Sequence, residues 1–289
     1  MIFKTILITG TGLPLAAGVI ATILFGKNKT LSKPPGILFH SIMPGSILPN
    51  LSCLSKVQFS KIITRLKNNS FNSITINNAH GYTENLETKS ILITFDDGFQ
   101  SVFDHALPVL EEANFKASIF CVTDFIGKSS AWDVYGKTNH LDKKSILSLS
   151  ELGHEIGSHT CTHANLPYLS EKDLVKELYN SKSKLEEITG KAVTSLSFPF
   201  GSWNKRVWTK AREIGYVSAT LYRNHRCSFD SQLFPVTGVY QFDSPQSVLS
   251  KIDGKGAYSI SAATSLLLSH FCKGTPIWKF RKNYCLFPN

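Results

Sequence analysis

The feature that most constrains the fold is a short run, Ser90–Phe95 (SILITF), nearly all apolar and followed at once by Asp96-Asp97-Gly98. A strand that is apolar at consecutive positions is buried on both faces, the condition of a strand in a parallel sheet covered by helices. The flanking sequence supplies both kinds of element. Gly36–Ile42 (GILFHSI), Ser73–Ile76 and Ala117–Val122 (ASIFCV) read as further strands. Between them, Val57, Phe59, Ile62, Ile63 and Leu66 fall near one helical face, and Ala106–Ala113 is also helical. Glu171–Thr189 is the clearest helix: Ser170 and Asp173 resemble a capping box, Leu174, Leu178, Leu185 and Ile188 recur at helical spacing, and Gly190 stands just past the end. Asn204–Ile214 repeats the pattern with Val207, Trp208, Ala211 and Ile214, then Gly215. Strands alternating with helices predict an α/β fold on a parallel sheet, open or closed into a barrel.

At 289 residues the chain fits one large domain or two small ones, and 42% hydrophobic content is ample for a core. The net charge of +10 favours anionic surfaces, but the basic residues are scattered and form no stripe interleaved with aromatics, so nucleic acid is not the expected partner. Six cysteines lie far apart with no C-x-x-C pair, which leaves the redox compartment open. Thr5–Phe25 runs 21 residues without a charge, between Lys4 and Lys27, Lys29 and Lys33. That length spans a bilayer as a helix, so the segment reads as a signal or membrane anchor; the competing reading is a buried first strand and helix of a soluble domain. Lysines are more numerous after the segment than before it, which would keep the domain cytoplasmic. The periodicity fades beyond about Ser244. The expected organisation is therefore an anchor or signal segment and linker over 1–34, a main domain over 35–245 and an appendage packed on it over 246–289.

Four short motifs carry the chemistry. Thr94-Phe95-Asp96-Asp97-Gly98 places two adjacent carboxylates at the carboxyl end of a strand, where α/β folds bind ligands. Two such anions need a proton, a cation or a metal beside them in a dry pocket, although Asp-Asp-Gly is also ordinary turn chemistry. His159-Thr160-Cys161-Thr162-His163 sets two histidines four apart, so that they meet on one face of a helical turn. Cys161, between them, is not expected to be a ligand, and His154 reads as structural. Two histidines and one carboxylate are a familiar ligand set for a hydrolytic metal, with the second carboxylate left over as a base. Ser197-Phe198-Pro199-Phe200-Gly201 ends a strand where an exposed amide, such as that of Phe200, could stabilise an oxyanion; the plain alternative is a Pro/Gly turn. Leu38-Phe39-His40 puts a histidine on the first strand, which by itself is equally a core histidine.

In this order TFDDG, GHEIGSHTCTH and SFPFG resemble the polysaccharide deacetylases of the NodB-homology type (carbohydrate esterase family 4), over roughly Pro35 to Asp243. The resemblance implies a distorted (β/α) barrel with fewer than eight strands, preceded here by a hydrophobic segment. It implies Asp96 as catalytic base, Asp97, His159 and His163 as ligands of a divalent metal (zinc first, with nickel, cobalt or iron as alternatives), and Phe200 as the oxyanion amide. Leu38-Phe39-His40 is similar to the permuted Leu-x-His motif of the poly-N-acetylglucosamine deacetylase subgroup, which makes His40 the general acid; Leu268-Ser269-His270 stands where an unpermuted member has that motif. Many members carry an arginine two residues before the proline of the third motif, and here that position is Ser197. The Asp-x-x-Asp-Trp segment of the family has only weak counterparts in Trp132-Asp133 and Asp230.

The implied activity is metal-dependent hydrolysis of N-acetyl groups on amino-sugar units of a glycan. Its rivals are an O-acetyl carbohydrate esterase and a catalytically silent glycan-binding protein. An N-acetylated glycan partner and a membrane contact through the first segment place the expected site of action outside the cytoplasm, against the direction given by the lysines. The oligomeric state has no signal in the sequence.

Overall fold

A computed structural model describes residues 33–45, 52–79, 89–130, 138–222 and 230–253. Its frame is a closed barrel of parallel strands: β1 (Gly36–Phe39), β2 (Lys89–Phe95), β3 (Ser118–Cys121), β4 (Glu155–Ser158), β5 (Ser195–Ser197), β6 (Ser218–Tyr222) and β7 (Leu233–Gly238). Each strand is bonded to the next in sequence, and β7 closes the ring on β1. A further strand, Phe71–Ile74, pairs only along the amino-terminal half of β2 and stays outside the ring. This is the small distorted barrel that the resemblance implied.

Helices cover the ring: α1 (Lys56–Asn68), α2 (Leu107–Ala113), α3 (Lys143–Glu151), α4 (Glu171–Thr189), α5 (Lys205–Ile214) and α6 (Pro245–Ile252). Five start at a side-chain cap, Ser55, Asp142, Ser170, Asn204 or Ser244, each accepting a backbone N–H three residues on. That bond satisfies one of the amides that a helix leaves unpaired at its start. The strand residues alternate between two environments. Ile37, Phe39, Ile91, Ile93, Phe95, Ile119 and Ile156 join one core under α1, α2, α3 and α6. Leu196, Ala219 and Leu221 join a second core with Leu174, Leu178, Val207 and Trp208 of α4 and α5. Of the alternate residues, Leu92, Phe120 and Phe234 cluster with Ile76 and fill the barrel itself.

The seam between β1 and β2 positions the chemistry. Phe39 pairs in register with Phe95, and both rings face outward onto Phe59 of α1, with centroids 5.1 and 5.9 Å from it. Because successive side chains alternate, the next residues, His40 and Asp96, turn toward the barrel axis.

Several elements differ from their sequence reading. Gly36–Ile42 is interrupted at His40, giving β1 and a separate Ser41–Met43 strand that pairs with Cys53–Ser55. The strand expected at Ser73–Ile76 ends at Ile74, and Ile76–Ala79 is a helical turn. A π-type turn, Val102–Ala106, precedes α2. The sequence carries no clear signal for helix α3 or for strands β6 and β7, where Ser, Thr and Pro dilute the apolar pattern. Past Ser244, α6 packs Val248, Leu249 and Ile252 on the main core, as an appendage packed on the domain would; the rest of 246–289 lies outside the described residues. The hydrophobic segment 5–25 and residues 254–289, with His270, lie outside the described residues; among the described residues no helix is long and apolar enough to cross a membrane.

Phe59 is the shared contact of β1, β2 and α1, so Phe59→Ala should cost about 3–5 kcal/mol of stability. Urea unfolding of the purified variant measures it; a loss under about 1 kcal/mol would mean that the aromatic cluster is not what holds this seam.

Candidate metal centre

The sequence-chosen residues gather at the carboxyl ends of the strands, the end where α/β barrels bind ligands. Asp96 and Asp97 follow β2, His159 and His163 follow β4, Phe200 follows β5 and His40 follows β1. Asp96 and Asp97 are consecutive yet differently aimed. Asp96 continues the strand, its N–H bonded to Phe39 O, whereas Asp97 takes a left-handed backbone (φ 69°) and Gly98 follows in the same region (φ 64°). A Cβ at Gly98 would stand 3.0 Å from the Cys121 backbone, so only glycine fits the second position. The turn reading and the ligand reading of Asp-Asp-Gly are thus one feature: the turn is what aims Asp97.

The two histidines meet, but not on a helix. Residues 159–163 form a bend after β4, with Thr160 (φ 68°) and His163 (φ 61°) both left-handed. Asp97, His159 and His163, all buried, place one ligand atom each within 4.8 Å of one another. Ligand atoms about 2.1 Å from a tetrahedral ion stand about 3.4 Å apart. Asp97 Oδ1 lies 3.4 Å from His163 Nε2 and 3.6 Å from His159 Nε2. His159 Nδ1 is bonded to Ser197 O at 2.8 Å; since a carbonyl only accepts, the proton is on Nδ1 and the Nε2 lone pair faces the carboxylate. Burial pulls the His159 pKa down to about 4, against the pull of that bond, so the ring is the neutral form that ligates metals. The donor set fits a divalent cation.

Asp96 sits beside this cluster, 4% exposed. Burial pushes its pKa up to about 6, opposed by the charge of His40 and by a hydrogen bond from the Ser197 side chain. Burial lowers the His40 pKa and His159 adds to the fall, with Asp96 opposing both only in part. Asp96 and His40 therefore form an interacting pair across the β1–β2 seam. Ser197 serves both halves of the site, its hydroxyl on Asp96 and its carbonyl on His159. Phe200 is also left-handed (φ 60°), and its ring meets His163 edge-on at 4.6 Å.

Cys161 turns away from the cluster, its thiol directed at Glu177 O (3.5 Å) on α4. His154 accepts the Ala117 N–H and meets Glu111, a structural position. Asp230 stands before β7, at the opposite end of the barrel, holding Trp208 Nε1; it is not a counterpart of the family's acidic segment. Trp132-Asp133 lies outside the described residues.

Two contributors had gone unread. His140 bonds Asp97 O through Nδ1 (2.9 Å) and Ser130 Oγ through Nε2 (2.7 Å), and so braces the left-handed ligand. No motif announces it. Glu177 bonds the loop between the two histidines. Its signal was a charge set among Leu174, Leu178 and Leu185 on the buried stripe of α4.

Burial holds His140 as well as His159 near a pKa of about 4, so between pH 6.5 and 4 the unfolded chain binds protons that the native one does not. Stability of the metal-free protein is then full above pH 6.5 and falls as pH drops toward 4, by up to about 1.4 kcal/mol per pH unit for each ring. Asp96 works in the opposite sense below pH 6, because its raised pKa lets the native state keep a proton, and it offsets part of one ring. Urea titrations of chelator-treated protein across this range test the net sign; stability constant or rising toward pH 4 would contradict it.

Residues 83–219 match the sequence profile of the family described as polysaccharide deacetylase. The chain is 29% identical, over 66% of its length, to YxkH of Bacillus subtilis, whose name as a polysaccharide deacetylase is provisional. It is 26% identical, over 64% of its length, to the poly-β-1,6-N-acetyl-D-glucosamine N-deacetylase of Staphylococcus epidermidis. These alignments span 64% and 66% of the relatives' own lengths, short of two thirds in each. In fold it resembles BC0361, a polysaccharide deacetylase from Bacillus cereus, with a TM-score of 0.64 at 24% identity, covering 76% of this chain and 69% of that one. Residues 83–219 thus match a polysaccharide deacetylase domain, and the chain is similar to proteins named for that activity in sequence and shares their barrel.

Proposed function

We propose that this chain is a metal-dependent hydrolase that removes N-acetyl groups from amino-sugar units of a glycan. The observation that carries the proposal is the buried Asp97–His159–His163 cluster with the interacting pair Asp96 and His40 beside it. The name of the Staphylococcus epidermidis relative supports poly-N-acetylglucosamine or a similar polymer as the substrate class. Zinc suits the two imidazoles and one carboxylate, with nickel, cobalt and iron as alternatives.

When bound, the ion supplies Lewis-acid polarisation of the acetamide carbonyl and acidifies water. The rest falls to side chains. Asp96, with its pKa raised to about 6, is a base matched to neutral pH and takes the proton of the attacking water. The Phe200 amide, on its left-handed turn, stabilises the carbonyl oxygen as charge grows there. His40 delivers a proton to the departing nitrogen, because an amine leaves poorly as an anion. The sum is one water added, one amine and one acetic acid released, with Asp96 and His40 restored by exchange with solvent.

The charge-free run Thr5–Phe25 completes the proposal as a membrane tether that keeps the domain near an extracytoplasmic glycan.

Metal analysis, followed by acetate release from N-acetylglucosamine oligomers, peptidoglycan and acetylated xylan, tests the reading. Asp96→Asn should lower turnover by about 10²–10⁴-fold with metal retained, whereas His159→Ala should lose the metal. Undiminished turnover in Asp96→Asn would sink the scheme. His40→Ala should harm cleavage of the amide more than of an O-acetyl ester, since an alkoxide leaves without prior protonation. Release from xylan alone would instead make the chain an O-acetyl esterase.

A further inference from the structure

The bend His159–His163 is an awkward place to build a metal site. It carries two non-glycine residues in the left-handed region, and one of them, Thr160, is β-branched. Each such residue costs on the order of 1–3 kcal/mol and persists only where its surroundings over-determine it. The bonds that hold the bend come chiefly from one helix. Glu177 of α4, 9% exposed, accepts from Cys161 N (2.8 Å) and Thr162 N (2.9 Å) on Oε2, and from Thr162 Oγ1 (2.7 Å) on Oε1. One turn along α4, Ser181 Oγ meets Ser158 Oγ at 2.8 Å, and Ser158 Oγ accepts the Thr160 N–H. Residues i and i+4 share a helix face, so α4 grips the bend at both ends of its first histidine. Within the bend, Thr160 Oγ1 accepts the His163 N–H (3.1 Å).

We infer that Glu177 is the positioning residue of the metal centre: its carboxylate fixes the Cys161–Thr162 backbone, and through it sets the spacing of His159 Nε2 and His163 Nε2. The inference rests on the metal reading above and deepens it. Glu177 has no part in ligation; its two oxygens are committed to the three loop donors. Its effect is to hold the histidines at ligand spacing before a cation arrives. Partners of metal ligands of this kind typically change affinity 10–100-fold when removed.

The role depends on hydrogen-bond reach, not on charge, and two substitutions separate these. Glu177→Gln keeps the length: its carbonyl oxygen can accept both amides, and its NH2 can donate to a reoriented Thr162 hydroxyl. Glu177→Asp keeps the charge but withdraws the carboxylate by one methylene, out of reach of the bend. Zinc affinity of chelator-stripped protein is measured by competition with a chromophoric chelator, alongside the melting temperature of the metal-free forms. The expected result is Gln within threefold of wild type and Asp weaker by tenfold or more. Both variants within threefold of wild type, or Gln weaker than Asp, would overturn the inference. Where the Asp variant fails to fold, Thr162→Val decides by removing one of the three donors. A zinc affinity lowered threefold or more upholds the clamp, and an unchanged one overturns it. Wild type that binds none of zinc, nickel, cobalt or iron stoichiometrically would overturn the functional reading itself, and the clamp with it.

Discussion

Two carboxylates on consecutive residues, both buried at the rim of a barrel, are the constraint on which the rest of this structure turns. In a medium of low dielectric such a pair is tolerated only if something nearby offsets its charge or takes a proton. The chain separates the two by conformation. Asp96 stays on the strand and faces His40 and Ser197, while Asp97 swings onto a left-handed turn and faces His159 and His163. One acid is left beside a histidine and a hydroxyl, the other beside two imidazoles at ligand spacing. That division of labour comes from a backbone φ at one residue and from the glycine after it.

Around this turn the protein invests its polar contacts in geometry. His140 braces the Asp97 carbonyl, the Ser197 carbonyl fixes the tautomer of His159, and Glu177 ties down the bend between the histidines. None of these has to touch a substrate. Beneath them, Phe39, Phe95 and Phe59 pin the β1–β2 register from outside the barrel, which keeps His40 and Asp96 at adjacent places inside it. Apolar packing on the outer face and polar bracing on the inner rim thus act on the same few residues. The Ser197 hydroxyl supplies a contact to Asp96 without adding a positive charge beside the Asp97–His159–His163 cluster.

The legibility of the sequence followed the strength of local signals. β2 was readable because it is buried on both faces, and α4 because its cap and its leucine spacing agree. β6 and β7 were not: Ser218 and Thr220, inward in β6, and Pro235 and Thr237 of β7 break the apolar run. The spacing of His159 and His163 suggested a helical turn, and the bend reaches the same proximity by two left-handed residues instead. Spacing says that two rings can meet, not which backbone brings them together. The family resemblance assigned roles to residues at the motifs, and could say nothing of His140 or Glu177, which lie outside them.

By itself, then, the sequence determined the class of fold, the strand ends where the candidate site lies and the residue types gathered there, because each is encoded within a few consecutive residues. Only the tertiary structure decided which acid faces which partner, that Ser197 joins Asp96 to His159, and that a glutamate on a covering helix holds the histidine bend. Those facts depend on register and on contacts between residues such as Asp97 and His140, or Cys161 and Glu177, that no local pattern relates. They exist only once the barrel closes and brings separate strand ends to one rim.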